Sequence, residues 1–128
     1  MSKTFLSIVD KAYRAVSEEQ DDTIVWVHHA LKGATAEFSL LLKGNAVNYL
    51  DCSQETPGIT IGSWKQSHPA QMGGDVESLI KKGVDVYFIA EDLEDRGIDR
   101  TNIISSAKSI SKKDLPGLLA KHDLVFQW

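Results

Sequence analysis

Ala36-Glu37-Phe38-Ser39-Leu40-Leu41-Leu42-Lys43-Gly44-Asn45 is the stretch on which the fold turns. Phe38, Leu40, Leu41 and Leu42 form a near-continuous apolar run. A strand with one wet face alternates apolar and polar residues. An unbroken run marks a strand covered on both faces, as in a parallel sheet flanked by helices. Gly44-Asn45 breaks the run, and 46–50 then reads as a short helix.

Outward from this run, Val84-Asp85-Val86-Tyr87-Phe88-Ile89 is the clearest strand of the chain. Residues 4–9 form a short apolar, β-branched strand, 107–111 another, and 124–126 a last one with Trp128 just beyond it. Helices fit between them. Asp21 or Asp22 can cap a helix whose inner face is Ile24, Val27, Ala30 and Leu31, with Gly33 as its stop. The β-branched Thr23-Ile24-Val25 keeps a strand open as the rival there. Asp75 can cap a helix over 76–82, residues 91–96 form a helical turn ended by Gly97, and 112–121 read as a helix with Pro116 in its first turn. Residues 10–20 read as a polar loop. Residues 53–74 hold Pro57, Gly58, Gly62, Pro69, Gly73 and Gly74 and read as a long loop, of the kind that forms a lid or binding segment.

Strands alternating with helices at this spacing imply right-handed crossovers. The expected fold is α/β, a three-layer flavodoxin-like parallel sheet of about five strands in the order 2-1-3-4-5. Residues 1–128 form a single domain in this reading.

The composition agrees with a globular protein. Of 128 residues 42% are hydrophobic and 25% charged, and Pro is scarce, which excludes a disordered or fibrous chain. The formal net charge is −4 with scattered Lys and Arg, which argues against a nucleic-acid partner. No apolar run approaches the roughly 20 residues of a membrane span, and 5–9 is too short for a secretory h-region because Asp10 ends it. Cys52 is the only cysteine, so no internal disulfide forms and a cytoplasmic location is expected.

Ligands of open parallel sheets bind beyond the carboxyl ends of the strands. That rule selects Asp10, Lys11, Tyr13 and Arg14 after the first strand, Lys43, Gly44 and Asn45 after the second, with Asn48, Tyr49 and Cys52 further on. After the third it selects Glu91, Asp92 and Arg96. A buried carboxylate there would serve as general acid or base. The competing reading makes the acidic run Glu91, Asp92, Glu94 and Asp95 a helix cap and solvated surface, with Arg96 paired to Asp92 at four residues' spacing. Cys52 is the one candidate catalytic thiol. Against it stands its place near a helix end, where the dipole disfavours a thiolate, and the favoured reading is an inert, partly buried side chain.

His28 and His29 are adjacent and diverge by about 100° on a helix, and no metal-ligand spacing occurs, so no metal site and no cofactor are expected. One of the two is a candidate for a pH-responsive contact with a partner subunit. Gly73-Gly74-Asp75 lacks both the dinucleotide and P-loop patterns. No Gly-x-Ser-x-Gly elbow supports a hydrolase. Trp26, Trp64 and Trp128 invite an interface reading; Trp64, with Ile59, Ile61 and Met72, either meets another subunit or folds back on its own domain.

The order of these pieces resembles the DsrE/DsrF-like family of sulfur-relay proteins. The resemblance rests on 33–49 (Gly-Ala-Thr-Ala-Glu-Phe-Ser-Leu-Leu-Leu-Lys-Gly-Asn-Ala-Val-Asn-Tyr), on 83–98 (Gly-Val-Asp-Val-Tyr-Phe-Ile-Ala-Glu-Asp-Leu-Glu-Asp-Arg-Gly-Ile) and on the closing Asp-Leu-Val-Phe-Gln-Trp of 123–128. It implies a small α/β domain that assembles into trimers or hexamers, alone or with related DsrE-like subunits. Some members carry a persulfide on a cysteine after the third strand. Here Ile89 stands at that position, and Asp92 where some relatives keep a second cysteine. An isoleucine forms no persulfide. The resemblance therefore implies an oligomeric binding or structural subunit near sulfur metabolism. Two alternatives stand beside it: a sulfurtransferase or thiol enzyme that uses Cys52 with Asn45, Tyr49, Glu91 and Arg96, and a small-ligand or nucleotide-binding module.

Overall fold

The computed structural model describes residues 3–12, 23–54, 58–66 and 72–128. β1 (Phe5–Val9) precedes α1 (Thr23–Gly33), β2 (Phe38–Leu42) and a 3-10 helix (Gly44–Leu50). An antiparallel hairpin of β3 (Thr60–Ile61) and β4 (Trp64–Lys65) follows. Then come α2 (Met72–Lys81), β5 (Asp85–Ile89), α3 (Ala90–Asp95), β6 (Lys108–Ile110), α4 (Leu115–Ala120) and β7 (Leu124–Gln127).

The main sheet has five parallel strands in the order β6-β5-β2-β1-β7. The α/β class and the parallel five-stranded sheet are as expected. The neighbours inside it differ: counted one to five along the chain the order is 4-3-2-1-5, not 2-1-3-4-5. The chain steps one strand at a time from β1 to β2, β5 and β6, then returns across the sheet to pair β7 with the free edge of β1.

Side-chain alternation sorts the strands cleanly into two faces. Val9, Leu40, Leu42, Val86 and Phe88 pack with Val25 of α1, Val76 and Leu79 of α2 and Leu93 of α3. Leu6, Ile8, Leu41 and Ile89 point the other way, onto Leu118 of α4. The right-handed rule explains this arrangement: when the direction of travel along the sheet reverses after β6, the connecting helix must cross on the opposite face. Leu40, Leu41 and Leu42 are all fully buried, which is the two-sided cover their unbroken run predicts. Each contributes about 1.5–3 kcal/mol of transfer free energy.

The elements follow local chemistry with some tertiary overrides. The rival strand at Thr23-Ile24-Val25 loses because Val25 and His28, three apart, both bury under one helical face. The segment 46–50 is part of a seven-residue 3-10 helix that starts at Gly44, whose φ of +56° suits glycine. α2 begins earlier than expected, so Gly73 and Gly74 lie in the helix and Asp75 sits in its first turn rather than capping it. Gly73 is needed there for close approach: a Cβ would stand 3.1 Å from the carbonyl oxygen of Tyr49. The long loop expected over 53–74 contains the β3–β4 hairpin, where Ile61 and Trp64 lie opposite one another and exposed. The expected helix over 112–121 divides into a 3-10 turn (Lys112–Asp114), closed by a Ser111–Asp114 capping box, and α4. The expected loop over 13–20 and the Asp21 or Asp22 cap lie outside the described residues. No helix among the described residues is long and apolar enough to cross a membrane.

Candidate functional site

β5 and β6 release the chain in opposite directions. β5 runs into α3, whose Leu93 packs on the α1–α2 face, and β6 runs into α4 on the other face. Between two such strands the sheet opens a crevice at its carboxyl edge, the place where this architecture holds ligands. Ile89, Glu91 and Asp92 arrive there from β5, Ser111 and Lys112 from β6, and Gly44 and Asn45 from the adjoining β2.

Glu91 and Asp92 are neighbours that serve opposite sides. Glu91 Oε2 accepts from Ser111 Oγ at 2.9 Å and from the Lys112 amide at 2.9 Å. Asp92 Oδ2 accepts from the Gly44 amide at 2.8 Å, and its other oxygen lies 3.7 Å from Lys112 Nζ. Each carboxylate thus caps the helical segment that follows a neighbouring strand, without belonging to that segment. Lys43, the local N-cap of the Gly44–Leu50 segment, makes no side-chain cap bond, so Asp92 supplies it from 48 residues away. The Lys112 amide, the backbone amide of Glu91 itself and the Ser111 hydroxyl hold the Glu91 carboxyl below its ordinary value.

Arg96 Nε donates to Asn45 Oδ1 at 3.0 Å, and another guanidinium nitrogen donates to the Asp92 carbonyl at 3.1 Å. The expected Arg96–Asp92 pairing therefore uses the backbone of Asp92, because its carboxylate is committed to Gly44. Asn48 Nδ2 donates to the Asn45 carbonyl at 2.8 Å, and Gln54 Nε2 donates to the Asn48 carbonyl.

Of the residues selected from sequence, Asn45, Glu91, Asp92 and Arg96 come together at this edge. Tyr49 does not line an open cleft; it is fully buried with Leu50 and Val47. Cys52 is exposed rather than partly buried. Its amide donates to the Asn102 carbonyl at 2.9 Å and its thiol faces the Leu50 carbonyl at 3.8 Å, in a turn beside the Asp51–Ile103 bridge. Lys43 and Arg96 make no bond to it. The selected Tyr13 and Arg14 lie outside the described residues. Asp10 Oδ2 accepts from Gln127 Nε2 at 2.9 Å.

The histidines separate as adjacency predicts. His29 lies between α1 and α2, where its Nε2 donates to the Asp75 carbonyl at 2.9 Å and Lys82 Nζ donates to its Nδ1 at 2.9 Å. His28 is fully buried on Ser7 of β1, and Trp128 Nε1 donates to the same Ser7 hydroxyl at 2.6 Å. Sequence reasoning passed over this cluster. The signal was Ser7, a lone polar residue in Phe-Leu-Ser-Ile-Val, together with a histidine one turn after Ile24. No group of three potential metal ligands occurs among the described residues. A separate open recess of about 470 Å³ lies under α4, lined by Tyr87, Ile110, Leu118, Lys113 and Lys121. It shares none of the crevice residues Ile89, Glu91, Asp92, Ser111 and Lys112.

The crevice is thus bridged by the carboxylates of Glu91 and Asp92, with an aliphatic side chain at the end of β5. Ile89 is 2% exposed. The molecule is a three-layer parallel α/β domain, and the strand-end residues described above include no cysteine.

No family model and no curated protein matches the sequence. Solved structures match by shape. The YchN protein of E. coli superposes with a TM-score of 0.72 at 17% identity, over 100% of both chains. The protein of unknown function MTH1491 from Methanobacterium thermoautotrophicum superposes with a TM-score of 0.63 at 12% identity, again over 100% of both chains. This chain has the DsrE/YchN-like fold.

Proposed function

We propose that the protein is a DsrE-like cytoplasmic subunit that works by assembly and binding, in association with sulfur metabolism, and carries no persulfide. The observation that carries this reading is Ile89: a buried aliphatic side chain ends the strand where the resemblance to sulfur-relay proteins implies a carrier thiol. The charged residues beside it support the same reading. A carboxylate held below its ordinary value by two donors on one oxygen is a poor general acid at neutral pH and a weak base. Glu91 acts here as a structural clasp.

Assembly is supported by the outer edge of the sheet. Leu124, Val125 and Phe126 of β7 are each about 45% exposed, and Trp26, Ile61 and Trp64 more so. β7 pairs with β1 on one side only and bears neither charge nor proline, the usual guards of an open edge. Light scattering after size-exclusion chromatography tests this. The expected mass is three or six times 14.1 kDa. A monomer at micromolar concentration contradicts the proposal.

The exposure of Cys52 is the one observation that favours the thiol-enzyme alternative. A sulfurtransferase thiol also needs a cation, a histidine or a helix N-terminus to stabilise its thiolate. The bonds recorded at Cys52 go to backbone carbonyls instead.

A further inference from the structure

Among the described residues, α1, α2 and α3 pack on one side of the sheet and α4 on the other. A helix is about 10–12 Å across with its side chains, and strands lie about 4.8 Å apart, so one helix covers about two strands. α4 rests on Leu6 and Ile8 of β1, Leu41 of β2 and Ile89 of β5. Beside it the recess of about 470 Å³ stays open. Its apolar wall is Leu118 of α4 with the half-buried Tyr87 of β5 and Ile110 of β6. Small-molecule sites run to about 300–1,000 Å³, mostly apolar with a few polar groups that fix orientation.

We propose that this recess is a binding site for a small organic anion with a compact apolar body. The body lies on Tyr87, Ile110 and Leu118, and the charge faces Lys113 and Lys121. Two independent features carry the assignment, one of charge and one of shape.

Lys113 stands just before α4 and Lys121 just after it, and both line the recess. Neither has an ion-pair or hydrogen-bond partner among the described residues. The other cations of this region are engaged. Lys108 pairs with Asp85 at 2.8 Å, Arg100 donates to Ser109 Oγ at 2.9 Å, and Lys112 lies 3.7 Å from Asp92. The one carboxylate in the lining, Asp114, closes the capping box with Ser111. Residues 100–121 hold five Lys or Arg and one Asp, a formal +4 inside a chain of −4. The recess therefore sits in the basic part of an acidic protein, beside two lysines that the fold leaves without a counter-charge.

The second feature is Gly117, which also lines the recess. It lies inside α4, where glycine is less stable than alanine. Gly44 needs its positive φ and Gly73 its close approach to Tyr49. Neither reason holds for Gly117: its φ is not positive, and a Cβ there would meet nothing within 4 Å. The packing of the chain does not require this glycine. What it preserves is free space at the wall of the recess.

The test uses the full chain and two probes. Anilinonaphthalene sulfonate is an aromatic body with one fixed negative charge, and phenylnaphthylamine has the same rings without it. Nitrogen-15 amide spectra are recorded as each is added. The sulfonate is expected to bind saturably, shifting the amides of Ile110, Gly117, Leu118 and Lys121. It is expected to bind about tenfold more tightly than the uncharged probe, with the difference shrinking as salt is added. Lys113→Gln/Lys121→Gln brings the two probes within about twofold of each other. Gly117→Leu fills the recess and removes binding of both, with the far-UV circular dichroism unchanged. Absence of saturable binding, shifts centred on β7 or the β3–β4 hairpin, equal affinity for the two probes in the parent chain, or a sulfonate affinity that either variant leaves intact each overturns the proposal. The lysine variant, changed only at exposed positions, decides the matter if the Gly117→Leu chain does not fold.

Discussion

Asp92 shows how much a single side chain holds together at the carboxyl edge. It is 13% exposed, caps the segment that follows β2 and lies near the lysine that follows β6. Asp92→Ala leaves the Gly44 amide without a partner, and it is expected to cost about 1–3 kcal/mol in urea unfolding. Asp92→Asn, which keeps an acceptor oxygen, is expected to cost less than half as much. Glu91 makes a pH prediction. Its carboxyl titrates below the ordinary value of 4.5 in the folded chain, so folding favours the ionised form. That contribution is complete above pH about 4.5 and is lost as pH falls through the lower folded value. Glu91→Gln is therefore less stable than the parent at pH 7, and the gap between the two urea midpoints narrows as pH falls below the ordinary carboxyl value of 4.5. A gap that does not narrow on acidification contradicts the assignment. At this scale the sequence displayed the acidic run and its place after the strand. It did not display partners that the fold brings from 20 and 48 residues away.

Elements were legible where one chemical signal dominated. The leucines of β2 and the alternating faces of β5 announced themselves, and Gly33, Gly83 and Gly97 stand at the helix ends their type predicts. The order of strands was not legible. Pairing of β1 with β7 depends on whether the last crossover returns past three strands, and no local pattern encodes that choice. The β3–β4 hairpin was also missed, because two-residue strands carry no periodicity. Two substitutions test the element scale. Leu41→Ala, fully buried in the central strand on the face of α4, is expected to cost about 2–5 kcal/mol in denaturant unfolding. Gly44→Ala forces a side chain into φ +56° and places its Cβ 3.1 Å from the Asp10 carbonyl oxygen. It is expected to cost about 1 kcal/mol or more. A neutral result would mean that the turn after β2 relaxes freely.

For the whole molecule, the sheet places its crevice between β5 and β6, and the residues there close that crevice rather than equip it. The large apolar side chains left exposed lie elsewhere, mostly along β7 and the hairpin. This division supports the proposed reading of the protein as a subunit rather than a sulfur carrier. Intact-mass spectrometry of the native protein, after one equivalent of a persulfide donor, tests that reading most directly. The account predicts a chain of unchanged mass. A chain heavier by one sulfur atom, mapped to Cys52, would contradict it.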